Sequence, residues 1–171
     1  GYNFPLLGGP HLLPQNNVTQ TLDAWLTDNN LQKEERWIGV APFAMHCSKI
    51  WPTENYRQLF SLLLQKEKHR FFLFGGGAKE IAFFNSLKNE FPDQVIIIAG
   101  VMKLDQELAL MKKLDLMLCV DSSNMHFAVL TGAPVLSIWG GTHPAVGFGP
   151  FQKNEESIIQ IDPAELSCRP C

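Results

Sequence analysis

The stretch DLMLCVDSSNMHFAVLTGAPVLSIWGGTHP, residues 115–144, decides how the rest of the chain is read. It opens on an apolar run, DLMLCV (115–120), breaks on Asp121 and two serines, and returns to apolar residues in PVLSIW (134–139). Between the runs, residues 123–131 have the length of a short helix, with Ser122 or Ser123 placed to cap its start. Gly132 stands where a left-handed residue would end it, and Pro134 opens the next run. A strand, a helix and a second strand in this order form a βαβ unit, whose two strands lie parallel.

The same alternation extends in both directions. Further strand patterns are WIGVAPF (37–43), RFFLFG (70–75), QVIIIAG (94–100) and SIIQI (157–161). Helical spacing of Tyr56, Leu59, Phe60 and Leu63 predicts a helix over 54–66. Ile81, Phe84 and Leu87 predict another over 78–90, and Leu108 with Met111 one over 105–113. Near-continuous hydrophobicity in the strands fits a sheet covered on both faces. With right-handed crossovers this gives an α/β fold, a doubly wound parallel six-stranded Rossmann-like sheet. Residues 1–16, rich in Pro and Gly, read as a linker; Val18, Leu22, Trp25 and Leu26 then recur at helical spacing. The expected division is therefore a linker and leading helix over 1–35 and one domain over 36–171.

The chain has 171 residues, 46% of them apolar and 18% charged, with a net charge of −3, enough for one well-buried core. Its 14 Lys and Arg are scattered and outnumbered by 17 acids, which argues against nucleic acid as a partner. No apolar run reaches the ~20 residues needed to span a bilayer, so the expectation is a soluble or at most peripheral chain. A start at Gly1 and a stop on CRPC read as a piece of a longer protein. Cys47 and Cys119 read as structural thiols, whereas Cys168 and Cys171 form a C-x-x-C open to three readings: half a metal site, a redox pair or a disulfide hairpin. No acidic cluster has ligand spacing, so neither a metal nor a cofactor is expected.

In an open parallel sheet the ligand crevice lies beyond the carboxyl ends of the strands, where strand order reverses. That rule selects the loops at 43–52, 75–80, 100–104, 121–126 and 140–144. The first carries His46 and Lys49 ahead of a helix opened by Pro52 and capped by Thr53, a place where a cation attracts phosphate; Trp51 is expected to pack on the sheet edge. The second, FGGGAKE, lacks the third glycine of a dinucleotide fingerprint, because Glu80 stands there; its glycines would let backbone approach a ligand, with Glu80 or Lys79 near ribose hydroxyls. The fourth places Asp121 and a helix N-terminus beside His126, a cradle for pyrophosphate or, alternatively, only a capped helix with a satisfied histidine. Thr142 and His143 occupy the last of these loops.

Taken together, KIWP (49–52), FGGGAKE (74–80), VDSSNMH (120–126), LTGAPVLSIWG (130–140), GTHP (141–144) and GP (149–150) resemble glycosyltransferase family 9, the heptosyltransferases of lipopolysaccharide core assembly. The resemblance covers residues 37–171 and implies the C-terminal, nucleotide-sugar-binding half of a GT-B fold. It implies that Lys49 and His126 contact the diphosphate of an ADP-heptose-like donor, and that Asp121, Ser122 and Ser123 shape the phosphate and sugar pocket. Met102 matches the position that packs on adenine, Glu80 is the candidate ribose contact, and Thr142 joins the donor-binding set. The family's base belongs to the N-terminal domain, so no catalytic residue is expected here, and a lipid-A-core acceptor would bind through that domain. Ser123 replaces a family glycine, His143 an aspartate, and Ala44 and Met45 stand near usual hydroxyl residues, which bears on donor identity. A GT-B sugar epimerase and a non-catalytic nucleotide-binding module are the alternatives.

Overall fold

The computed structural model describes residues 9–151 and 157–166. Its strands are β1 (Arg36–Ala41), β2 (His69–Leu73), β3 (Val95–Ile97), β4 (Leu116–Val120), β5 (Val135–Trp139) and β6 (Ile158–Gln160). Its helices are α1 (Asn16–Asp28), α2 (Thr53–Leu64), α3 (Ala78–Glu90), α4 (Leu104–Met111) and α5 (Ser123–Thr131). Each falls on a segment that the sequence predicts as that element.

All neighbouring strands run parallel, in the order β3-β2-β1-β4-β5-β6. The chain builds outward from β1 to β3, then returns to the other side of β1 with β4. Strand order therefore reverses between β1 and β4, where Ile38 pairs with Leu116 and Ala41 with Cys119.

Side chains alternate along each strand, so the two faces bury different sets. On one face Trp37, Ala41, Phe72, Met117, Cys119 and Trp139 pack with Leu22 and Leu26 of α1, Leu110 and Met111 of α4, and Met125 and Ala128 of α5. On the other, Ile38, Val40, Phe71, Leu73 and Leu118 meet Tyr56 and Phe60 of α2 and Phe84 and Leu87 of α3. Phe60 stacks on Phe71 with centroids 3.8 Å apart and planes 2° from parallel. Helix α1 is thus a layer of the core, with Leu22 fully buried. The segment before it is fastened too, since the N–H groups of His11 and Leu12 donate to Leu130 O at 2.7 and 2.8 Å.

Gly39, in the middle of β1, faces the α1 side; a Cβ there would lie 2.4 Å from Leu114 Cδ1 and 2.5 Å from Met117 Sδ. Where β1 meets Asp115, the carboxylate accepts the Trp37 N–H at 2.8 Å and pairs with Lys33 at 3.3 Å. Burial opposes its charge, but the Trp37 N–H, Lys33 and Arg36 together hold it below the ordinary carboxylate range.

The expected caps differ from those observed. Thr53 is the first helical residue of α2 rather than its cap, because Pro52, which has no side-chain acceptor, occupies the cap position. Ser122 does hold the cap position of α5 with extended backbone, yet its hydroxyl bonds no helix N–H and is buried without a partner. The amino end of α5 is therefore uncapped by any side chain. Its other end matches the sequence reading: Gly132 adopts φ 86°, ψ 12°, the left-handed conformation that glycine reaches at little cost. Cys168 and Cys171 lie outside the described residues. Among those described, no helix is long and apolar enough to cross a membrane, and no group of three His, Cys, Asp or Glu is placed to hold a metal.

Candidate functional site

A cleft of about 700 Å3 opens above the carboxyl ends of β1, β2 and β4, at the point of strand reversal. It is lined by residues from three loops: Phe43, Ala44, Met45 and Lys49; Gly75, Gly76 and Glu80; and Asp121, Ser122, Ser123, Asn124 and His126. Polar groups and the amino end of α5 form one wall, while Phe43, Ala44 and Met45 form a wall without a hydrogen-bonding side chain.

Lys49 ends a short 3-10 turn, Cys47–Lys49, which places its amine 2.7 Å from Asp121 Oδ2. Asp121 follows β4 directly and is only 5% exposed. The same oxygen accepts the Thr142 hydroxyl at 2.7 Å, so two donors converge on it. The Lys49 amine also sits 5.7 Å from the centroid of the Phe148 ring, within cation–π range.

The Lys49 turn is held from behind. Gly141 N–H donates to Ser48 O at 2.7 Å, and a Cβ on Gly140 would stand 2.3 Å from that carbonyl oxygen. Glycine at 140 is needed for this close approach of two backbones.

Glu80 lies in the first turn of α3, and its Oε2 accepts the Gly76 N–H at 2.8 Å. A Cβ on Gly75 would fall 2.3 Å from the same oxygen. The close approach expected for a ligand at these glycines is thus made by the chain's own carboxylate. Gly77, at φ 88°, turns the backbone into α3.

Cys119, the strand residue before Val120 and Asp121, is fully buried, and burial pushes its thiol up, leaving it neutral and unreactive. Trp51, expected on the sheet edge, packs edge-on against Tyr56 of α2 with centroids 4.9 Å apart.

The sequence pattern of glycosyltransferase family 9 (heptosyltransferase) matches residues 13–170. The chain belongs to glycosyltransferase family 9. Lipopolysaccharide heptosyltransferase 2 of Escherichia coli K12 is 26% identical to this family 9 chain over 157 residues, covering 89% of the chain and 44% of the relative. Lipooligosaccharide heptosyltransferase 2 of Haemophilus influenzae is 23% identical over 151 residues, covering 82% and 42%. The structure of E. coli ADP-heptose lps heptosyltransferase II superposes with a TM-score of 0.73 over 95% of this chain and 48% of that one, at 23% identity. E. coli heptosyltransferase WaaC with ADP gives 0.67 over 93% and 45%, at 20% identity. These two likenesses establish the fold. The chain spans less than half the length of the relatives it matches.

Of the residues singled out for this family 9 chain from its sequence, Lys49, Glu80, Asp121, Ser122, Ser123 and His126 line the one cleft. Thr142 reaches it only through Asp121. Met102 does not line it; its side chain packs against the core face that holds α1 and α4. His143 turns to local work: its Nδ1 accepts the Ala145 N–H at 3.0 Å and caps the 3-10 turn Pro144–Val146. That fixes the neutral ring's proton on Nε2, 3.3 Å from the Gln160 amide, whose oxygen rather than nitrogen must then face it. His46 and Lys79 are exposed and off the lining. Sequence reasoning missed Asn124, Phe148 and the Gly140–Ser48 contact. A glycine pair after an apolar run was the one visible trace of the last.

Proposed function

We propose that this chain is the donor-binding half of a heptosyltransferase, receiving the diphosphate of an ADP-heptose-like nucleotide sugar in the cleft above β1 and β4. The observation that carries this reading is the uncapped amino end of α5 opening into the same cleft as Lys49 and His126. Free backbone N–H groups and the positive end of the helix dipole favour an anion by ~0.3–1 kcal/mol when exposed and up to ~2 kcal/mol when partly buried. A lysine hydrogen bond to phosphate adds ~1.5–3 kcal/mol. Both interactions strengthen as charge builds on the departing diphosphate, which is the electrostatic help that sugar transfer requires.

Glu80, which lines the cleft and uses Oε2 to hold the Gly76 N–H, is suited to ribose hydroxyls. Asp121 Oδ1 has acceptor capacity for a sugar hydroxyl, because Oδ2 is taken by Lys49 and Thr142. The relatives' names support heptose transfer in lipopolysaccharide assembly; on this reading the sugar goes to the core, and the acceptor site and general base belong to the other half of the enzyme. The parent enzyme would work in the cytoplasm at the inner membrane face.

Calorimetry of the 171-residue chain with ADP, UDP and GDP tests the proposal. ADP should bind, and Lys49→Ala together with His126→Ala should weaken it at least ~10-fold, since the lysine hydrogen bond alone is worth ~1.5–3 kcal/mol and the helix end remains. Failure of every nucleotide to bind, or an unchanged affinity in the double variant, would refute it.

A further inference from the structure

We infer that Thr142 is a positioning residue, which acts through Asp121 to set where the Lys49 amine stands in the cleft. This rests on the reading of the cleft as an anion receptor, though its first test does not. A hydroxyl has one proton to donate, and Thr142 spends it on Asp121 Oδ2 at 2.7 Å. Lys49 Nζ approaches the same oxygen at 2.7 Å. A carboxylate oxygen has two lone pairs, and these two donors occupy both. The carboxylate can then no longer rotate about its Cβ–Cγ bond without breaking two bonds, so Lys49 is offered a fixed partner rather than a swivelling one.

Thr142 is itself fixed on both sides. Immediately before it, Gly141 N–H binds Ser48 O at 2.7 Å, on the turn that carries Lys49. Immediately after it, His143 caps the following 3-10 turn through Ala145 N–H. The loop bearing Thr142 and the turn bearing Lys49 are therefore joined twice, once by backbone and once through Asp121, which is only 5% exposed. Thr142 does not line the cleft. Its effect on any ligand passes through the orientation of other groups.

Two measurements on the full chain separate this role from a general one. The first, without ligand, is the rate at which the Lys49 amine is acetylated by dilute acetic anhydride, followed residue by residue by mass spectrometry. Thr142→Val should raise that rate at least ~3-fold relative to other lysines, and Thr142→Ser, which keeps the hydroxyl, should restore it. The second is affinity for inorganic pyrophosphate, expected to fall ~3- to 10-fold in Thr142→Val, less than the loss of the Lys49 bond itself because the effect is indirect. Thr142→Ser should stay within ~2-fold of the parent. If the valine variant does not fold, Thr142→Ala against Thr142→Ser gives the same comparison. An unchanged Lys49 rate in the variant lacking the hydroxyl, or an equal rise in the serine variant, overturns the inference whatever the binding shows. A raised rate with serine rescue, in a chain that binds no pyrophosphate, would uphold Thr142's role and refute the anion-receptor reading alone.

Discussion

Placing a single methyl group on Gly140, which does not itself line the cleft, should disable it. The Cβ of Gly140→Ala would begin 2.3 Å from Ser48 O, 3.4 Å from Ser48 C and 3.6 Å from Lys49 Cα. Ordinary contact requires about 1 Å more, and the obstacle is backbone, which cannot rotate away as a side-chain tip can. The two loops must part, and Gly141 N–H, bonded to the same carbonyl at 2.7 Å, is drawn off with them. Overpacking of this kind costs ~1–3 kcal/mol and the lost hydrogen bond ~0.5–1.5 kcal/mol. A total near 3 kcal/mol lowers Tm by ~6–12 °C for a chain of this size. Lys49, displaced by about the same ångström, loses most of a charge-assisted bond to diphosphate, so Kd should rise ~10- to 100-fold. Differential scanning fluorimetry reads the first effect and calorimetry with ADP the second. Gly76→Ala is the stability control, since its Cβ would meet nothing within 4 Å and Tm should hold within ~1 °C. An alanine at 140 with parental Tm and Kd would show that the backbone contact does not position Lys49.

Two further outcomes follow from the packing and charge of the fold. Gly39→Ala should destabilise by ~1–3 kcal/mol, read as a lower midpoint in urea, because its methyl group enters space held by Leu114 and Met117 on the central strand. Burial pushes the Glu107 carboxyl up to about 7, so the folded state keeps its proton while the unfolded chain loses it near pH 4.5. A raised folded pKa in an acid penalises the fold progressively from about pH 4.5 to 7 and fully above that. Glu107→Gln should therefore raise Tm by a few degrees at pH 8 and leave it unchanged near pH 4. The gain stays well below the value for a dry site, because the side chain is only half-buried.

The strands could be read because they are buried on both faces and so appear as unbroken apolar runs. Helix α5 could be read because Gly132 and Pro134 close it chemically. Strand order could not be read residue by residue: the crossover rule reaches only a doubly wound sheet, and it is the order β3-β2-β1-β4-β5-β6 that brings Asp121 beside Lys49, 72 positions earlier. The serines after Asp121 illustrate another limit. Their type favours capping, yet Ser122 holds the position without making the bond, since cap preference says nothing of which way a hydroxyl turns. Met102 was assigned by its place after the third strand, whereas packing against the α1 side decides where its side chain lies. The glycines at 75 and 140 were visible as glycines, but what each makes room for, a carboxylate in one case and a carbonyl in the other, depends on a partner that sequence spacing does not reveal.

Because the cleft draws its lining from loops that follow β1, β2 and β4, no contiguous segment of the chain supplies all of it. Local fraying cannot leave half a receptor behind, and an occupant would clamp together regions that join only when the central pairing of β1 with β4 is made. Occupancy and global cooperativity are then one equilibrium, so protection of amide protons in the middle of the sheet should report on a bound molecule as faithfully as the loops that touch it.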